Sequence, residues 1–107
     1  MASDAPRFIV RPAAEADIEE AALWYELRAL GLGAEFLRAV DVCFEQIRRS
    51  PESFQQIYKN ARRARIRRFP YVAYFVSSAT GIHVVACIHA KRDPRIWQRR
   101  VSGRGDR

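Results

Sequence analysis

The sequence contains groups that could cleave RNA without a metal ion. Such cleavage needs a base for the 2′-hydroxyl proton, a cation to stabilise charge on phosphorus, and an acid for the leaving oxygen. Arginine suits the second role, but its guanidinium stays protonated and cannot be the base. The candidates for proton transfer are His83, His89, Tyr71 and Tyr74. The candidate charge stabilisers are Arg63, Arg65, Arg67 and Arg92.

A histidine–cysteine pattern near residue 85 raises the question of a metal site. His83, Cys87 and His89 share one face of a predicted strand by strict alternation. His83 and Cys87 would lie about 13 Å apart along that strand, which is too far for both to bind one ion. Cys87 and His89 alone provide two ligands, whereas zinc normally has four. We therefore expect no metal and no cofactor.

The charge of the chain is unevenly distributed. Residues 1–57 carry a net charge of −4 and residues 58–107 carry +11, which gives the formal charge of +7. Five arginines lie within Arg62–Arg68, and seven more basic residues follow from Lys91 to Arg107. Concentrated charge of one sign predicts a partner that is a nucleic acid or an acidic protein. A solvated basic surface is the alternative interpretation.

Length and composition predict one domain over residues 1–107, ordered from about residue 7 to about residue 101. The 107 residues are 49% hydrophobic, which is more than a disordered chain carries. The longest apolar run, Phe69–Val76, has eight residues, whereas a membrane-spanning helix needs about 20. No apolar segment near the N-terminus indicates secretion, so a cytoplasmic protein without membrane contact is expected. Cys43 and Cys87 are predicted to be buried free thiols.

A strand and two helices are predicted before residue 50. The strand ends near Arg11, because Pro12 blocks its continuation. The first helix runs from Ala13 to near Leu30, and a turn containing two glycines leads into a second helix that ends near Arg49. The predicted inward stripes are Ala14, Ile18, Ala21, Ala22 and Tyr25 on the first helix, and Leu37, Val40, Phe44 and Ile47 on the second.

The second half of the chain predicts three strands, at residues 62–69, Tyr71–Val76 and Ile82–His89. The first strand places Arg63, Arg65 and Arg67 on one face. The third strand is predicted to alternate regularly and, being apolar on both faces, to lie in the middle of the sheet. Its two faces are Ile82, Val84, Ala86 and Ile88, and His83, Val85, Cys87 and His89.

The order β-α-α-β-β-β predicts an α+β domain in which a helical hairpin covers one face of a largely antiparallel sheet. The arginines are expected on the opposite face. A short C-terminal segment, residues 92–101, predicts one helical turn, and residues 102–107 are expected to be disordered.

The aromatic residues have two interpretations each. Trp24, Tyr25, Phe36 and Phe44 at helical spacing predict core packing. Alternatively, Trp24 or Leu27 lies off the main stripe and lines a groove for a partner helix or strand. Trp97 either stacks on a nucleic-acid base or pins the C-terminal segment to the sheet, and the nearby Pro94 favours pinning.

Several short motifs occur in a fixed order along the chain. They are Pro12-Ala13, Ala16-Asp17-Ile18, Trp24-Tyr25, Arg62-Arg63-Ala64, Arg67-Arg68-Phe69-Pro70-Tyr71, Tyr74, and His89-x-x-Arg92-Asp93-Pro94-x-x-Trp97-x-x-Arg100. This ordered set, which spans about residues 8–100, resembles the RelE/ParE family of toxins. The resemblance implies the toxin of a type II toxin–antitoxin pair, often called a plasmid stabilisation protein, which arrests growth and is neutralised by a cognate antitoxin.

The family has two mechanistic branches, and the motifs here look closer to the ParE-like branch. ParE-like members inhibit DNA gyrase, whereas RelE-like members cleave mRNA on the ribosome. RelE-like nucleases commonly use basic residues on the sheet with a tyrosine or histidine towards the C-terminus. No tyrosine follows Tyr74 here, so the nuclease alternative would use His89 with Arg65, Arg67 and Arg92. The simpler interpretation of His89 is an imidazole hydrogen-bonded at the rim of the core.

The expected partners are therefore an antitoxin, forming a hetero-oligomer, and either DNA gyrase or the ribosome with its mRNA. The predicted target-binding residues are Arg63, Arg65, Arg67, Arg92, Arg95, Trp97 and Arg100, and the predicted antitoxin-binding residues are Trp24 and Leu27. An acidic antitoxin tail is expected from the basic charge of the chain. A third interpretation is a nucleic-acid-binding module, but no helix carries the clustered basic face of a helix-turn-helix reader.

Overall fold

A computed structural model describes residues 7–102 of the chain. These residues form a five-stranded sheet in the order β1-β5-β4-β3-β2, with helices on both of its faces. β1 is parallel to β5, and the other pairings are antiparallel. The elements are β1 (Arg7–Val10), α1 (Pro12–Arg28), α2 (Leu32–Arg49), a 3-10 turn (Pro51–Ser53), β2 (Gln56–Tyr58), β3 (Ala61–Ile66), β4 (Tyr71–Ser78), β5 (Gly81–His89) and α3 (Pro94–Val101).

The predicted α+β class and element order are confirmed, with two additions. The short edge strand β2 was not predicted, because three residues are too few to show an alternating pattern. The C-terminal segment forms a helix of eight residues, α3, and not a single turn. The predictions for residues 1–6 and 103–107 lie outside the described residues. Within residues 7–102, no helix is long and apolar enough to cross a membrane.

The turn between α1 and α2 depends on two glycines and one carboxylate. Gly31 has a φ of 88°, a backbone conformation that favours glycine. A Cβ at Gly33 would lie 2.5 Å from the carbonyl oxygen of Ala22, so glycine allows the two helices to approach closely. The Glu26 carboxylate accepts hydrogen bonds from the amides of Gly31 at 2.8 Å and Gly33 at 2.9 Å. Glu26 therefore satisfies amide groups at the start of α2 that have no partner within the helix.

The inner face of the sheet, defined here as the face covered by α1 and α2, contains the larger core. Phe36 and Ile47 of α2 are fully buried against Phe75 of β4 and its neighbours. The predicted stripe of α1 is confirmed, since all five of its members pack in this core. The predicted seam of α2 is wrong at Leu37, which is 43% exposed. Phe36, one residue before Leu37, takes the inward position instead and is fully buried against the sheet.

The outer face of the sheet is covered by α3. The side chain of Asp93 caps this helix by accepting a hydrogen bond from the amide of Arg95 at 2.9 Å. The indole of Trp97 is 7% exposed and stacks on the ring of Tyr74, with centroids 4.3 Å apart. Trp97 therefore pins the C-terminal segment to the sheet, as its favoured interpretation predicted. The buried residues of this outer core are Ala61, Val72, Tyr74, Val85, Ala86, Ile88 and Trp97.

The predicted alternation along β5 is wrong beyond Val85. A bulge places Tyr74 opposite Ala86 and Phe75 opposite Val84, so Val85 has no partner residue in β4. An extra residue of this kind reverses the side to which all later side chains point. Ile82, Val84 and Cys87 consequently belong to the inner core, and Val85, Ala86 and Ile88 belong to the outer core.

Candidate functional site

Two arginines of β3 project from the outer face of the sheet. Arg63 and Arg65 are paired in register with Tyr74 and Val72, which belong to the outer core. Both arginines are exposed, and neither forms an ion pair within residues 7–102. Burial raises the pKa of Tyr74, and the positive charge of Arg63 partly offsets that rise. These two guanidinium groups are available to bind an anion.

The arginines that follow β3 lie in a turn and not on the predicted strand face. β3 ends at Ile66, and residues 67–70 turn towards β4. Arg68 has a φ of 70°, a conformation that non-glycine residues rarely adopt. Its guanidinium approaches the Glu35 carboxylate of α2 at 3.9 Å. Arg67 is exposed at this end of the sheet, where it lines a groove beside α2 together with Arg65 and Arg68.

A groove between α1 and the ends of β4 and β5 contains His89 and Arg92. Its volume is about 450 Å³. His89 lies beside Tyr71, with ring centroids 5.5 Å apart, and its Nδ1 atom accepts a hydrogen bond from the amide of Lys91 at 3.1 Å. Burial is the main cause that raises the pKa of Tyr71, while the charge of Arg92 opposes the rise. The polar residues lining this α1–β5 groove include Asp17, Glu20, Tyr71, His89 and Arg92.

Arg100 forms an ion pair within the fold. Its Nη1 atom lies 2.7 Å from Oδ2 of Asp17, and the two side chains are only 18% and 13% exposed. The same Nη1 atom donates a hydrogen bond to the carbonyl oxygen of Val85 at 3.1 Å, and the amide of Cys87 donates to Asp17 at 3.0 Å. The pair therefore links α1 to α3 and satisfies backbone groups next to the bulge in β5.

Two further predicted target-binding residues have partners on the surface or in the core. The Arg95 guanidinium lies 2.6 Å from the Asp93 carboxylate, and both side chains are exposed. Hydrogen bonds from the side chain and amide of Arg95 lower the pKa of Asp93 to about 2. Trp97 is buried against Tyr74, so its ring faces are not available for stacking on a base.

The histidine–cysteine pattern does not form one cluster. His83 precedes the bulge and Cys87 follows it, so the two side chains point to opposite faces of the sheet. No group of three His, Cys, Asp or Glu residues within the described part of the chain could hold a metal ion. The Nδ1 atom of His83 accepts a hydrogen bond from Nε of Arg11 at 3.1 Å. Burial, followed by the charges of Arg11 and Arg7, lowers the pKa of His83.

Both cysteines are free and buried, as predicted. Burial raises the pKa of the Cys43 thiol to about 11 and raises that of Cys87 further. Since the thiolate is the reactive form, neither residue is suited to act as a nucleophile.

The predicted antitoxin-binding residues lie on the exposed side of α1. Trp24 is 49% exposed and Leu27 is 78% exposed, so the core interpretation of Trp24 is wrong. The Arg28 guanidinium covers the indole of Trp24 at 4.0 Å from its centroid. Leu23 and Leu30 are also exposed, although neither was predicted as a binding residue. The recurrence of leucine at positions 23, 27 and 30, away from the inward stripe, is the signal that could have identified them.

Known proteins resemble this chain in sequence pattern and in fold. The family described as the ParE toxin of the type II toxin–antitoxin system, parDE, matches residues 8–94. A solved structure described as the chromosomal ParDE TA system from P. aeruginosa has a TM-score of 0.58 and 19% identity, and the match covers 81% of this chain and 98% of that one. No curated protein matches the sequence. Because the family match covers most of the chain, this protein belongs to the ParE toxin family of type II toxin–antitoxin systems.

Proposed function

We propose that this protein arrests growth by binding DNA gyrase in the cytoplasm and inhibiting it, without covalent chemistry of its own. Membership in the ParE toxin family supports this target over the ribosome, because gyrase inhibition is what the ParE-like motifs of the sequence imply. The proposal needs an exposed surface that binds a macromolecule, but it does not need an assembled set of catalytic groups.

The separation of His89 from the β3 arginines is the observation that carries this proposal. His89 and its neighbour Tyr71 lie on the inner side, in the α1–β5 groove, while Arg63 and Arg65 project from the outer face. A base and a charge stabiliser must reach the same phosphate to act together. With the sheet between them, His89 and Arg65 do not form the pair that the nuclease alternative requires.

The proposed gyrase-binding surface consists of Arg63 and Arg65 on the outer face, with Arg67 at its edge. Exposed and unpaired guanidinium groups accelerate association with an anionic partner and bind carboxylates or phosphates through two hydrogen bonds. Arg100 is left out of this surface because its charge is already neutralised by Asp17. Arg95 is paired with Asp93, and Trp97 is buried, so we leave both out as well.

A supercoiling assay with purified DNA gyrase tests the proposal. The double substitution of Arg63 and Arg65 by Gln should raise the concentration needed for inhibition at least about tenfold, which corresponds to about 1.4 kcal/mol. The matched control replaces Arg48 and Arg49 by Gln, since these exposed arginines lie on α2 and their removal lowers the net charge equally. Equal inhibition by both double variants would contradict the assignment of the binding surface to the outer face. If the unchanged chain does not inhibit supercoiling, gyrase is not the target.

We also propose that a cognate antitoxin neutralises this protein by binding at Trp24 and Leu27 and forming a hetero-oligomer. Exposed large apolar side chains on a small domain commonly mark a surface for another protein. The matched solved structure is described as a toxin–antitoxin system, which supports a partner of this kind. Co-purification of the chain with the product of a neighbouring gene, lost in a Trp24→Ala and Leu27→Ser variant, would support the assignment.

The second candidate function is cleavage of mRNA on the ribosome. One observation favours it, since His89, Tyr71 and Arg92 line the same groove. His89 could transfer a proton through Nε2, since Nδ1 already accepts the Lys91 amide, and Arg92 could stabilise the charge on phosphorus. Asp17 and Glu20 line that groove too, and Glu20 would repel a phosphate. If this function holds, His89→Ala should reduce cleavage of ribosome-bound mRNA by roughly 10²–10⁴-fold. The wild-type chain should then leave DNA supercoiling by gyrase unaffected.

A further inference from the structure

A groove between α2 and the end of β3 brings four arginines together. Its volume is about 330 Å³, which lies within the roughly 300–1,000 Å³ that small-molecule sites occupy. We call it the arginine groove. The charged side chains that line it are Arg38, Arg65, Arg67, Arg68 and Glu35.

The arginine groove is formed by one face of α2 and the open edge of β3. Arg38, Val42 and Gln46 follow one another at intervals of four residues, so all three line the groove from the same face of the helix. β2 pairs with the first two residues of β3 and extends no further. Within the described residues, no strand therefore lies beside Arg65 on this edge, and its side chain lines the groove from there.

The positive charge of the groove is mostly without a counter-ion. The Arg68 guanidinium lies 3.9 Å from the Glu35 carboxylate, and this contact directs it towards α2. Arg38, Arg65 and Arg67 are exposed and form no ion pair within residues 7–102. Four arginines and one glutamate give the lining a net charge of +3. Because like charges repel one another, a bound anion would stabilise this arrangement.

The number of unpaired guanidinium groups favours a ligand with more than one phosphate. A guanidinium group binds two oxygen atoms side by side. One phosphate group provides three terminal oxygens, which is too few for three guanidinium groups to bind in this way. Two linked phosphates provide more oxygens, and at neutral pH they carry about three negative charges, similar in size to the charge of the lining.

The α2 side of the groove provides apolar contacts beside the arginines. Ala39 and Val42 line it, and Val42 is 54% exposed. Nucleobases pack on apolar side chains and on guanidinium planes. A long nucleic acid lying along α2 would also meet Asp41 and Glu45, which are exposed outside the groove and repel phosphates. The groove therefore favours a small nucleotide over a polynucleotide.

We propose that the arginine groove binds a nucleoside diphosphate or triphosphate, with the phosphates on the guanidinium groups and the nucleoside against Ala39 and Val42. The groove shares Arg65 and Arg67 with the proposed gyrase-binding surface. Binding of a nucleotide to the chain alone does not require gyrase, so the two proposals fail separately.

Calorimetric titration of the full chain with ADP tests the proposal. ADP should bind at least about tenfold more tightly than inorganic phosphate or adenosine, because each of these lacks one part of the ligand. Pyrophosphate separates the contribution of the phosphates from that of the nucleoside, and it should bind more weakly than ADP. The affinity for ADP should fall as salt is added, since the guanidinium groups are exposed.

A pair of double variants locates the charge that binds ADP. Replacement of Arg38 and Arg68 by Gln should weaken ADP binding at least about tenfold, and neither residue belongs to the proposed gyrase-binding surface. The matched control replaces Arg48 and Arg49 by Gln, which removes the same charge from α2 outside the groove. This control should retain the affinity within about twofold.

A second pair of variants tests the apolar side. Val42→Glu should abolish ADP binding, because it places a carboxylate beside the phosphates and removes the contact for the nucleoside. Leu37→Glu is the matched control, since Leu37 is an exposed residue of α2 that does not line the groove. Thermal unfolding of both variants should match that of the wild type, because both side chains are exposed.

Several outcomes would overturn the proposal. They are no binding of ADP to the folded chain, equal weakening by the two double variants, equal affinity for pyrophosphate and ADP, or unchanged binding in Val42→Glu. Binding of a single-stranded oligonucleotide or an acidic peptide that is tighter than that of ADP, and that is lost in the Arg38 and Arg68 variant, would make a macromolecule the occupant instead. A chain that binds ADP but does not inhibit gyrase would contradict the proposed target and leave the nucleotide site supported.

Discussion

The inner face of the sheet is covered by two long helices, whereas the outer face is covered by the short helix α3 and leaves Arg63 and Arg65 in solvent. Fully buried aliphatic and aromatic side chains, such as Phe36, Ile47 and Phe75, fill the inner core. The outer core is smaller and depends on one aromatic stack of Trp97 on Tyr74. The inner face thus provides most of the apolar burial, and the outer face combines a modest core with free charge.

Arginine has different surroundings in these two environments. Arg100 reaches past the bulge in β5 to Asp17, and its removal would leave a carboxylate with little access to water. Arg65 has no such partner within the described residues and remains free to bind an anion. The same residue type therefore forms a structural ion pair in one place and part of the proposed binding surface in the other, and only the neighbouring carboxylates distinguish the two cases.

The largest loss of stability is expected from a substitution in the inner core. Phe75→Ala should lower the free energy of unfolding by about 3–5 kcal/mol, because it removes a fully buried ring and leaves a cavity between α2 and the sheet. Chemical denaturation of the purified variant measures this loss. A loss below about 1 kcal/mol would show that the inner core is not the main source of stability.

The next effect concerns the ion pair between α1 and α3. Asp17→Asn should lower the free energy of unfolding by about 3 kcal/mol, the low end for a buried pair, because Arg100 keeps its charge without a counter-ion. Glu19→Gln is the matched control, since Glu19 is exposed on the same helix and should change stability by less than about 0.5 kcal/mol. Equal effects of the two substitutions in thermal unfolding would contradict the structural function of the pair.

A smaller loss of stability is expected from a substitution in the outer core. Trp97→Ala should destabilise the protein by about 2 kcal/mol, less than a core aromatic, because α3 can detach locally while the inner core stays folded. Amide hydrogen exchange would then be faster in α3 and little changed in α2. Uniformly faster exchange in both helices would show that the two faces unfold as one unit.

The smallest effect is a dependence of stability on pH. The pKa of His83 in the folded protein lies below its usual value of 6.5, so the folded state favours the neutral imidazole. The associated stability is fully present above about pH 6.5 and decreases as the pH falls through the folded value. The difference in Tm between the wild type and His83→Gln should therefore shrink on acidification. A difference that grows on acidification would mean that the pKa is raised instead.

The sequence predicted local structure well where one periodic pattern covers a whole element. The stripe of α1, the glycine turn and the strands after residue 60 follow from the spacing of apolar residues and from turn residues. It was less accurate where a single position decides the outcome, as at Leu37, because neighbouring apolar residues in α2 fit a helical period almost equally well. The family resemblance rests on motifs along the whole chain, and the match over residues 8–94 confirmed it.

By itself, the sequence determined the α+β class, the helical hairpin and the excess of positive charge after residue 57, since these depend on composition and local period. The family followed from the resemblance of its ordered motifs. Only the tertiary structure decided which side of the sheet each functional group faces. The bulge at Val85 arises from pairing with β4, and it separates His83 from Cys87. The bond between Asp17 and Arg100 joins residues 83 positions apart. Neither the register of two strands nor a contact between distant residues produces a periodic pattern in the sequence. Both are therefore established only when the chain folds.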